Sequence, residues 1–162
     1  MKRIFVLALL ALLAVFVTGR ITLGEAGAMR YITTMEDHVS QGNADAVCDM
    51  LHADLEVDIQ DHTGEDGQDT RGGKEELCSL TRTVVEMLGK VPHTTNVNFN
   101  VSSVKRDWLH PWTSEVSYVE ERNLTIAGAV SLNTVSEDTI TLVQTFSGVK
   151  LLKLDSQAFL AE

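Results

Sequence analysis

Four polar side chains fall in a pattern that can support proton chemistry. Along Trp112, Ser114, Val116, Tyr118, Glu120, Arg122, Leu124 and Ile126 the even positions form one face of a long strand, and Glu120 with Arg122 interrupts its apolar run. In the following strand, Ile140, Leu142, Gln144 and Phe146 put Gln144 in the same phase. Trp112, Tyr118, Glu120, Arg122 and Gln144 are therefore the candidate ligand-pocket residues, with the polar ones at one end of an inward face. Burial disfavours the charged form of a carboxylate, so Glu120 is a candidate acid or base. The competing reading makes Glu120-Glu121-Arg122-Asn123 a turn, or a solvated edge carrying a surface ion pair. Asp58 is the second carboxylate candidate. It alternates with Leu55, Val57 and Ile59, so it points away from any cavity that Ile59 lines unless the register slips by one residue.

Other reactive types give less. Cys48 and Cys78 both lie in segments with helical spacing, and no CxxC pattern or nearby His marks either as a nucleophile or a zinc ligand. An even count in an oxidising compartment suggests a disulfide, which would stabilise the fold by roughly 3.5 kcal/mol. Two buried free thiols are the alternative. Asp54 to Asp69 holds seven carboxylates and no Lys or Arg, but its spacing is not that of a calcium loop, and a solvated acidic loop is expected. The five histidines show no HxH or HxxxH pairing, so neither a metal nor a cofactor is expected. Trp108-Leu109-His110-Pro111-Trp112 reads as an aromatic lip, a protein-contact patch, or simple packing around a turn.

The 162-residue chain that holds these groups has 44% apolar and 22% charged residues, enough to close one core and too apolar for wholesale disorder. Its net charge of −10 excludes phosphate-driven nucleic-acid binding, since no basic run offsets the average. Apolar residues concentrate at the start. Lys2-Arg3 precedes an unbroken apolar run, Ile4 to Val17, which as a helix would reach about 21 Å against a hydrocarbon core of about 30 Å. Residues 1–28 thus read as a signal peptide, with a small-residue cleavage pattern at Ala26-Gly27-Ala28, or as an uncleaved inner-membrane anchor spanning residues 4–23. Either way the folded part lies outside the cytoplasm, periplasmic, secreted or tethered. Without Lys2, Arg3, Arg20 and Glu25 the remainder stands at −12, which makes anionic headgroups poor partners for the domain itself.

The elements that position these groups divide into a helical half and a strand half. Tyr31, Ile32, Met35 and Val39 mark an amphipathic helix over residues 28–39, and Asn43 can cap a short helix with Ala44, Val47, Cys48 and Leu51 inward. Residues 54–60 alternate as a half-buried strand, residues 69–71 make a short return strand, and Leu77, Leu80, Val84, Val85 and Leu88 mark a third helix ended by Gly89. After Pro92 the pattern is strand: residues 97–108 with a bulge at Ser102-Ser103, then 114–126, 138–146 and 149–155, with Ser147-Gly148 as a hairpin turn. This α+β order suits a strongly curved sheet wrapped around helices as a cone.

The stretch Ser40 to Val57, the Arg71-Gly72-Gly73-Lys74-Glu75-Glu76-Leu77 entry to the third helix and Phe146-Ser147-Gly148-Val149-Lys150 resemble the nuclear transport factor 2-like superfamily, in its SnoaL-like and ketosteroid-isomerase-like branch. The resemblance implies a cystatin-like cone over residues 29–157, with three N-terminal helices on a curved mixed or antiparallel sheet of about six strands and residues 158–162 as a tail. It also implies a test. The position matching the branch's oxyanion Tyr is Met35, and the position matching its Asp base is Ile59, so that catalytic set is missing. The leading expectation is a module that binds a small apolar ligand or a protein. An enzyme of lyase, isomerase or hydrolase type using Glu120 or Asp58, and a dimerising structural subunit with exposed Val, Thr and Trp on its outer sheet face, are the alternatives.

Overall fold

The computed structural model describes residues 23–63, 69–106 and 109–161. The basic tip and apolar run of the leader, the middle of the acidic loop and Trp108 lie outside the described residues.

Helix α1 (Glu25–Ser40) buries Ala28, Tyr31 and Ile32 on one stripe, and Gly42, at φ +75°, turns the chain after it. Helix α2 (Ala44–Met50) follows, capped as expected by the Asn43 side chain, which accepts from the Ala46 N–H at 3.2 Å. Strand β1 (Leu51–His62) keeps Leu55 and Val57 in the core, and β2 (Thr70–Gly72) returns antiparallel to it. Helix α3 (Lys74–Gly89) begins with the Gly73 N–H donating to Glu76 Oε2 at 2.9 Å. That bond to the charged form holds the Glu76 carboxyl below its ordinary range.

Four strands complete the sheet: β3 (His93–Lys105), β4 (Thr113–Ile126), β5 (Val130–Thr145) and β6 (Gly148–Leu160). Their order is β2-β1-β6-β5-β4-β3, with β1 parallel to β6 and all other pairs antiparallel. The expected bulge is present as a register shift between Val101 and Ser103, and a second shift between Thr141 and Leu142 adds to the bend. The result is the expected architecture: three helices packed on one face of a six-stranded mixed sheet that does not close into a barrel. Leu23, Leu51, Val116 and Leu142 are fully buried between the layers. Tyr31 donates to the Met50 carbonyl at 2.8 Å, and its burial raises the phenol's pKa well above normal.

Some boundaries differ from the sequence reading. The hairpin loop is Phe146-Ser147 rather than Ser147-Gly148, because Gly148, at φ +113°, already pairs with Thr145. β5 begins at Val130, eight residues earlier than expected, and residues 158–160, assigned to a tail, pair with β5 through Ala158↔Ser136, Phe159↔Val135 and Leu160↔Thr134. At the other end α1 starts at Glu25 and Leu23 is wholly buried, inside the stretch assigned to the leader. Leu23→Ala is therefore expected to cost about 2 to 4 kcal/mol, read as a fall in the urea midpoint at unchanged m-value. A change under about 0.5 kcal/mol would place Leu23 outside the cooperative core.

Candidate functional site

Strand alternation carries three of the candidate residues onto the helix-facing side. Tyr118 is buried, and Glu120 and Arg122 follow it at intervals of two along β4. Arg122 is the hub of an ion cluster. Its Nη1 and Nη2 make a bidentate pair with Glu36 of α1 at 3.1 and 2.7 Å, and its Nε donates to Glu120 at 2.8 Å. The side chains of Arg122, Glu36 and Glu120 are 29%, 19% and 17% exposed, so this is neither a turn nor a solvated edge. Burial raises the Glu120 pKa, and the Arg122 charge opposes that shift without cancelling it.

Directly across from Tyr118 in the ladder stands Asp138, which the sequence reading did not single out. It is 6% exposed, and its Oδ2 accepts from Ser136 Oγ at 2.9 Å while Oδ1 makes no well-aligned hydrogen bond. The Tyr118 and Ser156 hydroxyls face the same carboxyl and favour its charged form, but burial outweighs them and raises the Asp138 pKa. Burial and the charge of Asp138 together push the Tyr118 phenol well above its usual value. The charges of Asp138 and Glu120 both raise the Tyr118 phenol, and that of Asp138 adds to the rise at Glu120.

The two remaining pocket candidates are elsewhere. The Gln144 N–H donates to the Trp112 carbonyl at 2.8 Å, so these two residues lie together, but six residues along β5 from Asp138, which is about 20 Å of strand. Phase assigns them the right face and the wrong end. Asp58 lies on the opposite face, as its phase predicts, cross-strand from Arg71, whose Nε is 3.2 Å from its carboxylate. It lines a groove of about 540 Å³ with Gln60, Ser117, Glu137, Thr139 and Asp155, and Tyr118, Asp138 and Ser156 border the same groove. Met35 and Ile59, at the positions of the isomerase Tyr and Asp, both pack against the core.

What surrounds the polar cluster limits its chemistry. On the α2 side the space is filled by Val116, Ile140, Leu142 and Leu151. On the other side the sheet outruns its helices. Leu124 pairs with Leu132, Ile126 with Val130, and Thr134 with Leu160, all in the phase of Arg122, and Val130, Leu132 and Leu160 are exposed. Glu120 thus sits at the edge of an open apolar apron rather than at the bottom of a closed cavity. Among the described residues no group of His, Cys, Asp and Glu is placed to hold a metal ion. The cysteine pair is bonded: Cys48 of α2 joins Cys78 of α3, with Cα atoms 5.4 Å apart.

No protein-family model matches the chain, and no curated protein matches it in sequence. Solved structures do. An NTF2-like protein with a cystatin-like fold from Novosphingobium aromaticivorans superposes with a TM-score of 0.62 at 14% identity, covering 94% of this chain and 88% of that one. The beta subunit of benzoate 1,2-dioxygenase from Burkholderia mallei gives 0.62 at 12% identity over 86% and 91%. A ketosteroid isomerase-like protein from Erwinia carotovora atroseptica gives 0.54 at 13% identity over 86% and 95%. At such identities the likeness defines the fold, which is the cystatin-like fold of nuclear transport factor 2-like proteins.

Proposed function

We propose that the helix-facing cluster binds a small molecule with an apolar body and a polar hydrogen-bond donor. The apron of Leu124, Leu132 and Leu160 would take the body, and the Asp138 carboxyl, beside Tyr118 and Glu120, would take the donor. The observation that carries this reading is the Asp138 carboxyl, buried among the Tyr118, Ser136 and Ser156 hydroxyls with an Oδ1 that makes no well-aligned hydrogen bond, since buried acceptors are almost always satisfied in folded proteins. Arg122 is already engaged by two carboxylates, so the cluster is a poor receptor for an anion. Native mass spectrometry of the purified full chain and of Asp138→Asn tests the reading. Wild type is expected to carry a small molecule that the variant loses, and an empty wild type, or equal occupancy in the folded variant, overturns it.

The same substitution has a stability signature. Asp138 binds protons more readily in the fold than in the unfolded chain, so its contribution falls as pH rises from the ordinary aspartate range through its raised folded pKa. Asp138→Asn is expected to be more stable than wild type above that window and to show a shallower decline with pH, measured by thermal melts across the acid-to-neutral range. A wild-type curve that rises there with the same slope as the variant refutes the assignment. A proton-transfer enzyme is the second reading, favoured by two carboxyls with raised pKa beside a phenol. The dimerising reading has less support, because Asp58, Glu137 and Asp155 stand among Val119 and Thr139 in the groove on that face.

For the leader we favour retention as an anchor. Cleavage after Ala28 would remove the first turn of α1 and with it Leu23 and Ala28, both wholly buried in the core. Among the described residues no helix is long and apolar enough to cross a membrane. The Cys48–Cys78 bond accords with an oxidising compartment.

A further inference from the structure

The direction of α1 shows which end of the domain the leader enters. Tyr31 bonds the Met50 carbonyl, next to the rung that joins Leu51, Leu151, Leu142 and Ser114 across the sheet. Five residues later Glu36 reaches Arg122, eight positions further along β4 than Ser114. The helix therefore points its N-terminus, with Leu23, toward the end of the sheet that carries the β3–β4 loop and the β5–β6 turn. Leu23 belongs to the fold, so an anchor over residues 4–22, about 28 Å as a helix, would adjoin the domain directly.

Large apolar side chains stand in solvent at that end as well as on the apron at the opposite one, and here they include the exposed Trp and the most exposed Phe. Phe146 is fully exposed at the tip of the β5–β6 turn. Trp112, 47% exposed, lies one strand away, held by the Gln144 bond and packed edge-on against His110 at 5.9 Å. Leu109, on the same loop, is 59% exposed. A polar loop would serve an unattached domain better, whereas Trp and Phe with an adjacent Leu suit the headgroup boundary of a bilayer. Charge cannot drive this contact in so acidic a domain, so it must be apolar and depend on the tether for local concentration.

We propose that this end of the domain rests on a lipid surface, with Leu109, Trp112 and Phe146 in the headgroup layer beside the anchored leader. The inference depends on leader retention and is independent of the ligand reading. Its test uses the full chain carrying Trp108→Phe, which leaves Trp112 as the single tryptophan, reconstituted in phosphatidylethanolamine and phosphatidylglycerol vesicles. Trp112 emission is expected to shift to the blue and to lose intensity when the acyl chains are brominated. Adding Leu109→Ser and Phe146→Ser should abolish the quenching while the protein still sediments with the vesicles and keeps its thermal melt. Emission indifferent to bromination overturns the proposal, as does a shift that follows protein density rather than bromination, which would assign the patch to a second copy. A chain that does not sediment with vesicles overturns the anchor and the contact together.

Discussion

Reducing the Cys48–Cys78 bond is expected to lower stability by about 3.5 kcal/mol, the loop-closure entropy of a 30-residue separation, and the melting temperature by roughly 12 °C. Loss of the cross-link leaves α2 held by the buried Ala44 and Val47, the Asn43 cap and the Tyr31 bond to Met50. The helix has seven residues, too few to persist alone, and the Asp45–Arg82 pair that also ties it to α3 is exposed and worth under about 1 kcal/mol. α2 runs directly into β1, and the Tyr31 bond to Met50 closes its last turn, so loosening α2 also loosens the entry to the sheet. Urea titrations with and without dithiothreitol measure the loss. Cys48→Ala with Cys78→Ala separates the bond from the packing of two buried sulfurs, and it should match the reduced protein within about 1 kcal/mol. A reduced protein within about 0.5 kcal/mol of the oxidised one would show that the cross-link constrains nothing the fold does not already hold.

The parts of this fold that sequence makes legible are those where burial imposes a period. β1 alternates because one face meets the helices, so Leu55 and Val57 declare it. The Asn43 cap and the bulge at residues 102–103 show as local chemistry and as a break in phase. The first half of β5 stays hidden for the opposite reason. Val130 to Glu137 extends past the helices, its residues meet solvent or half-solvent on both faces, and no apolar alternation is required. Missing that half made Asp138 look like the start of a strand, although it shares the phase of Ile140 and Leu142. Glu36 is hidden by the apolar face of its own helix, since only the tertiary fold brings it to a residue 86 positions away. Gln144 and Trp112 show the complementary limit. Period two gives the face of a strand and not the position along it, and β5 is 16 residues long.

Removing the Arg122 charge is expected to expose how much of the site is held by one side chain. In Arg122→Met the two carboxylates of Glu36 and Glu120 would face each other with no cation, each less than one-fifth exposed. Breaking a buried pair costs about 3 to 5 kcal/mol, and partial solvent access here reduces the expected loss to about 2 to 3 kcal/mol at neutral pH. The sign of its pH dependence follows from the charges. Arg122 now restrains the upward shift that burial imposes on Glu120, so without it the Glu120 pKa climbs further. The variant should then recover stability on acidification, as one carboxyl takes up a proton in the fold above its unfolded pKa, and lose it as pH rises through that folded value. Arg122→Met combined with Glu36→Gln and Glu120→Gln should regain most of the neutral-pH loss, because an uncharged cluster leaves no buried ion uncompensated. Thermal melts of the three proteins across pH check each step. A single variant that loses less than about 1 kcal/mol and has the wild-type pH profile would mean that water, not Arg122, screens the two carboxylates. In that case the cluster is a surface ornament, and Asp138 with Tyr118 must account for the site alone.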